Sequence, residues 1–281
     1  MKKLTFKQKS KIKSISLSII AILLGLILAM PFLWMIFCSF QENSSDVYAY
    51  PPKFPNFTNF NNFAYIFKES DFFNQLKNTL ILVFSNMIIG TIASILVAYG
   101  FARFNGKGKK VCFTILLATM MLPWVVTMVP AYMLFSKINL VGTFWPLILP
   151  SIGGSAYNIF LLRQFMMGLP KELDEAAKID GCNSLQVLTR ILLPNCTPII
   201  ATIVIFSFIG TWSDYVGPSI YIQDESMYTI ALGLQFLKTG FIAPQWHYIL
   251  ASCTIYALPM IIVFIFCQKA YVRGAVGSAI K

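Results

Sequence analysis

Hydrophobic positions along this chain gather into long runs separated by short polar stretches. A bilayer core about 30 Å thick needs about 20 apolar residues of helix. Six runs meet that length: Ser16–Phe37, Thr79–Phe101, Val111–Phe135, Thr143–Phe165, Pro198–Tyr215 and Tyr248–Phe266. The fifth ends in the polar run Trp212-Ser213-Asp214. The first follows a basic stretch, Lys2 to Lys13, as a signal peptide would. Its apolar run is too long for a signal-peptide h-region and contains Pro31, so a retained first helix is expected.

The pattern predicts an all-α, polytopic membrane protein with six transmembrane helices. Residues 1–15 form a tail, 16–266 the membrane domain and 267–281 a second tail. Loops at 41–78 and 216–247 lie on one side, and a polar loop at 166–197 lies on the other. The first of these is rich in Pro, Asn and Phe, as in Tyr50-Pro51-Pro52-Lys53-Phe54-Pro55-Asn56-Phe57. It reads either as a partly ordered cap with short helices or as a plain connector.

Composition agrees with a membrane class. The chain is 57% hydrophobic and 12% charged, with a mean hydropathy of +0.70, against about a quarter charged in ordinary soluble domains. The net charge of +11 does not point to nucleic acid, because the basic residues sit between apolar runs rather than on one soluble face. Counted by loop, 17 Lys and Arg fall on one side: the N-terminal tail, the loop with Arg103, Lys107, Lys109 and Lys110, the loop with Arg163, Lys171, Lys178 and Arg190, and the C-terminal tail. Five fall on the other: Lys53, Lys68, Lys77, Lys137 and Lys238. The positive-inside rule places both termini in the cytoplasm. Trp34, Trp145, Trp246 and Tyr248 then sit at the outer interface. Six cysteines, at 38, 112, 182, 196, 253 and 267, form no close pair and read as small packing residues rather than a disulfide or metal framework.

Candidate chemistry is sparse. Ion-driven transporters place ionisable residues in mid-membrane to take up the coupling ion. Here the 11 acidic residues lie in loops, Asp214 alone touching the end of a span, and the single histidine, His247, sits at an interface. The chain has no G-x-x-x-x-G-K-[ST] phosphate loop, and no Ser/His, Ser/Lys or paired-Asp constellation within its spans. A secondary transporter, a channel and a membrane-embedded enzyme are the rival classes, and each lacks its residues. Transport powered by a partner remains. Pro123 and Pro130 lie seven apart in the third span, on nearly one helical face. Pro146, Pro150 and Ser151-Ile152-Gly153-Gly154-Ser155 interrupt the fourth. Such breaks either line a pathway or reflect the ordinary frequency of Pro and Gly in membrane helices.

The polar stretch Leu169 to Pro194 predicts a helix-turn-helix at the membrane surface. Pro170 suits a first helical position, and Glu172, Asp174 and Glu175 complement the positive end of the dipole. Gly181 suits the left-handed residue that ends a helix. Asn183 or Ser184 can cap a second helix, with Val187, Arg190 and Ile191 on one face and Pro194 as its stop.

Glu175-Ala176-Ala177, Asp180-Gly181, Ile191 and Leu193-Pro194 together resemble the EAA loop of binding-protein-dependent ABC importer permeases. The resemblance extends to Asn78-Thr79, Ala98-Tyr99-Gly100-Phe101-Ala102-Arg103-Phe104, Leu122-Pro123, Pro130-Ala131-Tyr132 and Leu161-Leu162-Arg163-Gln164-Phe165. These look like the smaller permease of the carbohydrate-importing branch, the MalG type, with the type I importer fold of the MalG and MetI kind. The terminal Tyr271 to Lys281 is like the family's Gly-Ala-Val-Lys-Gly ending without matching it.

The resemblance implies a chain in the bacterial plasma membrane that pairs with a second, homologous permease. It also implies two ATP-binding cassette subunits, which hold ATP and Mg, and an extracytoplasmic solute-binding protein that delivers a sugar. No cofactor and no enzyme activity are expected in the chain itself. Coupling to the ATPases falls to Glu175, Ala176, Ala177, Asp180, Gly181, Ile191 and Pro194. Glu175 is expected to meet donors on the ATPase, Ala176, Ala177 and Gly181 to allow close packing, and Asp180 to cap or brace the turn. By polarity and position, Asn86, Tyr132, Asn158, Trp212 and Asp214 are the candidates for the substrate pathway. Glycerol 3-phosphate or another polar solute is the alternative cargo.

Overall fold

A computed structural model describes residues 6–239 and 244–279. Lys2 and Lys3 of the basic tail, residues 240–243 of the second outer loop, and Ile280 and Lys281 lie outside the described residues. Among the described residues every regular element is helical: α1 (Phe6–Ser39), α2 (Ser44–Val47), α3 (Asn61–Glu69), α4 (Phe72–Arg103), α5 (Lys109–Thr119), α6 (Trp124–Lys137), α7 (Trp145–Ile148), α8 (Ala156–Met167), α9 (Glu172–Ile179), α10 (Ser184–Gln186), α11 (Leu193–Trp212), α12 (Val216–Tyr221), α13 (Ile230–Thr239) and α14 (Trp246–Ala279). Five helical stretches are long and apolar enough to cross a membrane, and six if the α5–α6 pair counts as one. None of the 11 carboxylates falls inside those stretches.

The third predicted span is where sequence and structure part. Instead of one helix over Val111–Phe135, α5 and α6 meet at a 99° bend. Pro123 opens α6 rather than sitting within a continuous helix. It lacks the N–H needed to continue the ladder, and its ring crowds the preceding turn, so the helix stops before it. At 1.5 Å per residue, neither half reaches across a bilayer core alone. Pro123 and Pro130 therefore do not share the face of one straight helix. The fourth span holds its break midway. A 3-10 turn at Leu149–Gly153 leads into Gly154, whose φ of +71° is left-handed. A Cβ there would stand 3.0 Å from the Ser94 backbone nitrogen and hydroxyl, so only glycine fits this approach to α4.

Two compact units divide the chain: residues 1–70 with 237–257, and residues 71–236 with 258–281. In the first, the 41–70 segment is ordered by its own polar contacts. Asn62 donates from Nδ2 to the Ser39 and Gln41 carbonyls, both at 2.8 Å. The Trp246 N–H donates to Ser44 Oγ (2.9 Å), which also meets His247 Nδ1 at 3.0 Å. Tyr65 stacks on Tyr248 with ring centroids 4.1 Å apart.

The second unit is built on α4. Its core joins Ala98, Ile159, Leu162, Met166, Ala177, Val187, Leu188, Leu192, Cys196 and Ile203, so α4, α8, α9 and α11 share one apolar interior. From Ser184 to Trp212 the helix is unbroken for 29 residues. Its π-helical turn at Val187–Leu192 is followed directly by Pro194 near the start of α11. Pro194 therefore does not stop the second helix. The wider turn lies just where proline removes a donor and crowds the preceding carbonyls, and the chain passes on without a kink large enough to end it.

Candidate functional site

The 169–194 segment begins one step later than its sequence suggests. Pro170 lies outside α9, and Lys171 occupies the N-cap, its carbonyl accepting from the Asp174 and Glu175 N–H groups at 2.9 and 3.1 Å. Proline cannot donate here, and Glu172, Asp174 and Glu175 fill the first turn, where negative charge opposes the helix dipole. The end of α9 follows expectation. Gly181 has φ +82°, its N–H donates to the Lys178 carbonyl (3.0 Å), and the Cys182 N–H reaches back to Ala177 (2.9 Å). These two bonds are the paired closure of a Schellman cap. Asn183 caps the next helix. Its side chain accepts from the Gln186 N–H (2.9 Å) while Gln186 Oε1 accepts from the Asn183 N–H (2.8 Å), a reciprocal capping box.

The predicted residues do not share one surface. Glu175, Ala176, Asp180, Gly181 and Pro194 are exposed. Ala177 is 5% exposed and packs into the core of its own chain, and Ile191 is half-buried against the same core. Ala177 thus fixes α9 from within rather than offering itself to a second surface, because it shares the inward face with Asp174, three residues before it. Asp180 is the C-cap residue, its N–H donating to the Ala176 carbonyl at 3.0 Å. Outward, Ile179 is 87% and Leu185 62% exposed. They flank the turn with exposed apolar side chains, Ile179 one helical turn after Glu175.

Sequence reasoning missed what anchors this segment. Arg103, in the last turn of α4, sets Nε 2.6 Å from Asp174 Oδ2, with both side chains nearly buried. Its Nη2 donates to the Leu169 carbonyl (3.3 Å). One turn earlier, Tyr99 donates from its hydroxyl to the Ser184 carbonyl (3.0 Å). Arg163 ties α8 in, donating to the Phe101 carbonyl (3.2 Å) and lying over the Phe113 ring at 4.0 Å. Tyr99, Arg103 and Arg163 stood in family-like stretches, but no local spacing joins Arg103 to Asp174.

Of the pathway candidates, two come together. A cavity of about 400 Å³ is walled by α4, the 149–155 break with the start of α8, and α11, and Asn86 and Asn158 both line it with Ser207 and Thr211. Asn86 Oδ1 is buried without a hydrogen-bond partner, and no charged residue lines the space. The other three lie elsewhere. Tyr132 stacks near Tyr221 (6.0 Å), and Trp212 is 1% exposed against Phe208. Asp214 accepts from the Gly217 N–H at 2.9 Å, which makes it a turn residue at the start of α12. Burial pushes its carboxyl up, while the Gly217 and Val216 N–H groups pull it down. The described residues contain no group of three His, Cys, Asp or Glu that could hold a metal.

These features define a polytopic helical membrane protein with a mid-helix cavity, largely apolar but carrying uncharged amides and hydroxyls, and a capped helix-turn-helix at one end of the same bundle. Residues 86–276 match the family described as binding-protein-dependent transport system inner membrane component, and the chain belongs to that family. It is 34% identical over 90% of its length to the probable ABC transporter permease protein YurM of Bacillus subtilis, covering 84% of that protein. To the arabinooligosaccharides transport system permease protein AraQ of Halalkalibacterium halodurans it is 30% identical, over 81% of each chain. In fold it matches a chain of a bacterial ABC transporter involved in the import of the acidic polysaccharide alginate. The TM-score is 0.82 at 18% identity, covering 96% of this chain and all of that one.

Proposed function

We propose that this chain is one of two membrane-spanning subunits of an ATP-driven importer for a sugar or oligosaccharide. Its second permease, two ATPase subunits that bind ATP and Mg, and an extracytoplasmic solute-binding protein complete the machine. The 172–194 segment faces the cytoplasm, as do both termini. It docks on an ATPase subunit through Glu175, Ala176, Ile179, Gly181 and Leu185, while Ala177 and Ile191 hold it to the membrane helices.

The observation that carries this reading is the continuity of the segment with the cavity. The turn residues sit at the head of a 29-residue helix whose far half supplies Ser207 and Thr211 to the cavity wall. Movement applied at the turn is therefore applied to the pathway. Asn86 and Asn158 are the pathway residues this supports. Uncharged hydroxyl and amide groups suit neutral polyols, which exchange hydrogen bonds with water for hydrogen bonds with the wall. The absence of a cation from that wall favours a sugar over glycerol 3-phosphate. The relative named for arabinooligosaccharides supports the same class.

Cargo is tested by isolating the solute-binding protein that copurifies with this chain and identifying its bound ligand by mass spectrometry. A neutral saccharide is expected, and a phosphorylated or cationic solute would overturn the cargo assignment.

A further inference from the structure

We infer that Tyr99 and Arg103 of α4 form a clasp that makes α4, together with α11, the receiver of ATPase movement. This rests on the coupling role proposed above. It adds a second mechanical route that passes through side chains rather than along the backbone.

The two residues stand one helical turn apart and so on one face of α4. Each grips a different leg of the helix-turn-helix. Arg103 holds the first leg through the Asp174 carboxylate and the Leu169 carbonyl. Tyr99 holds the second through the Ser184 carbonyl, at the first residue of α10. Between the legs, Ala177 and Leu188 pack into the core that also contains Ala98 and Tyr99. The segment is thus joined covalently to α11 and non-covalently to α4, the helices that carry Ser207, Thr211 and Asn86 to the cavity.

The chemistry of the ion pair argues for position over stability. Arg103 Nε and Asp174 Oδ2 are close, but the contact is not an aligned hydrogen bond, and Asp174 Oδ1 is buried with no partner. A desolvated pair with an unsatisfied oxygen recovers little of its desolvation cost, and an apolar pair of similar size would hold the helices as well. What the charges add is a fixed register. Sliding α9 past α4 in either direction separates two opposite charges in a nearly dry site, which apolar packing alone would not penalise as sharply. Tyr99 adds a directional bond to a backbone carbonyl. Both are positioning residues, since neither faces the cavity or the exposed docking face.

The test uses the chain assembled with its copurifying subunits in liposomes, with a reporter cysteine at Ser207. Its labelling by N-ethylmaleimide is read with and without ATP, after subtracting the signal of the chain without the added cysteine. The chain with intact Tyr99 and Arg103 should show an ATP-dependent change in labelling rate. No such change overturns both the importer reading and the clasp. With that change present, Asp174→Asn should leave ATPase subunits bound and turning over but cut the labelling change per ATP by about tenfold, within the usual range of coupling between sites. Tyr99→Phe, which removes only a hydroxyl, should cut it by about threefold, the worth of one hydrogen bond. Exchanging the charges, Arg103→Asp with Asp174→Arg, should restore part of the loss. If Asp174→Asn fails to assemble, Tyr99→Phe decides alone. A labelling change per ATP that stays the same in the assembled variants overturns the clasp and leaves the importer reading standing.

Discussion

The two ends of α4 are held by different chemistry. At the Phe72 end the grip is neutral and directed at backbone. Asn74 and Asn78 donate from Nδ2 to the Ser226 carbonyl (2.6 and 2.9 Å), Asn78 also to Tyr228 (3.1 Å), and Thr79 Oγ1 accepts from the Ile230 N–H (2.9 Å). A loop is being held. At the Arg103 end the grip is an ion pair, a tyrosine hydroxyl and a contiguous apolar core, and what is held is a pair of helices. Amides that satisfy loop carbonyls can trade those bonds for water at modest net cost. A close-packed core that carries helices has few small displacements open to it. The difference suits one end to yielding and the other to transmitting.

Substitutions at the two ends should therefore have different effects. The largest loss is expected from Leu192→Ala, which empties a fully buried position at the Arg103 end. A cost of about 2–4 kcal/mol follows from the cavity left behind, read as a lower midpoint of thermal unfolding in detergent. Asn78→Ala at the other end removes the side-chain donor to the Tyr228 carbonyl and one of the two donors to Ser226, and should cost about 1–3 kcal/mol. Hydrogen exchange should rise in residues 224–230 and stay level in 172–194. Protection lost equally in both stretches would erase the distinction between the ends. Asn183→Ala removes one side of the capping box and should cost about 1 kcal/mol, with exchange faster only at the start of α10. Gly181→Ala meets open space yet must hold φ near +82°. About 1 kcal/mol of backbone strain is expected, with the fold intact.

Local chemistry made much of this legible in sequence. Five of the six spans follow from run length, and Gly181 and the pair Asn183-Ser184 announced a helix end and a helix start because left-handed backbone and N-caps select those residues. Asn86 and Asn158 are two of the five pathway candidates by polarity and position, and only these two line the cavity. What stayed hidden depends on contacts between distant positions. Arg103 and Asp174 look like an ordinary span-end cation and an ordinary first-turn acid until folding buries them together. Ala176 and Ala177 are identical in sequence, yet helical rotation sends one outward and the other into the core. Proline misled in both directions. Pro123 broke a span expected to be continuous, whereas Pro194 was carried inside a helix it was expected to end, since the π-helical turn before it widens the backbone at that point.

In the proposed importer, the chain conducts its solute only when an ATPase drives the 172–194 segment. The most direct measurement is uptake into liposomes of the solute eluted from the copurifying binding protein, comparing the unmodified chain with Gly181→Asp in complexes of equal ATPase content. Uptake should require both ATP and the binding protein, and should be lost or uncoupled from ATP turnover in Gly181→Asp. Uptake by the chain without ATP, or equal ATP-driven uptake by both chains, would contradict that coupling.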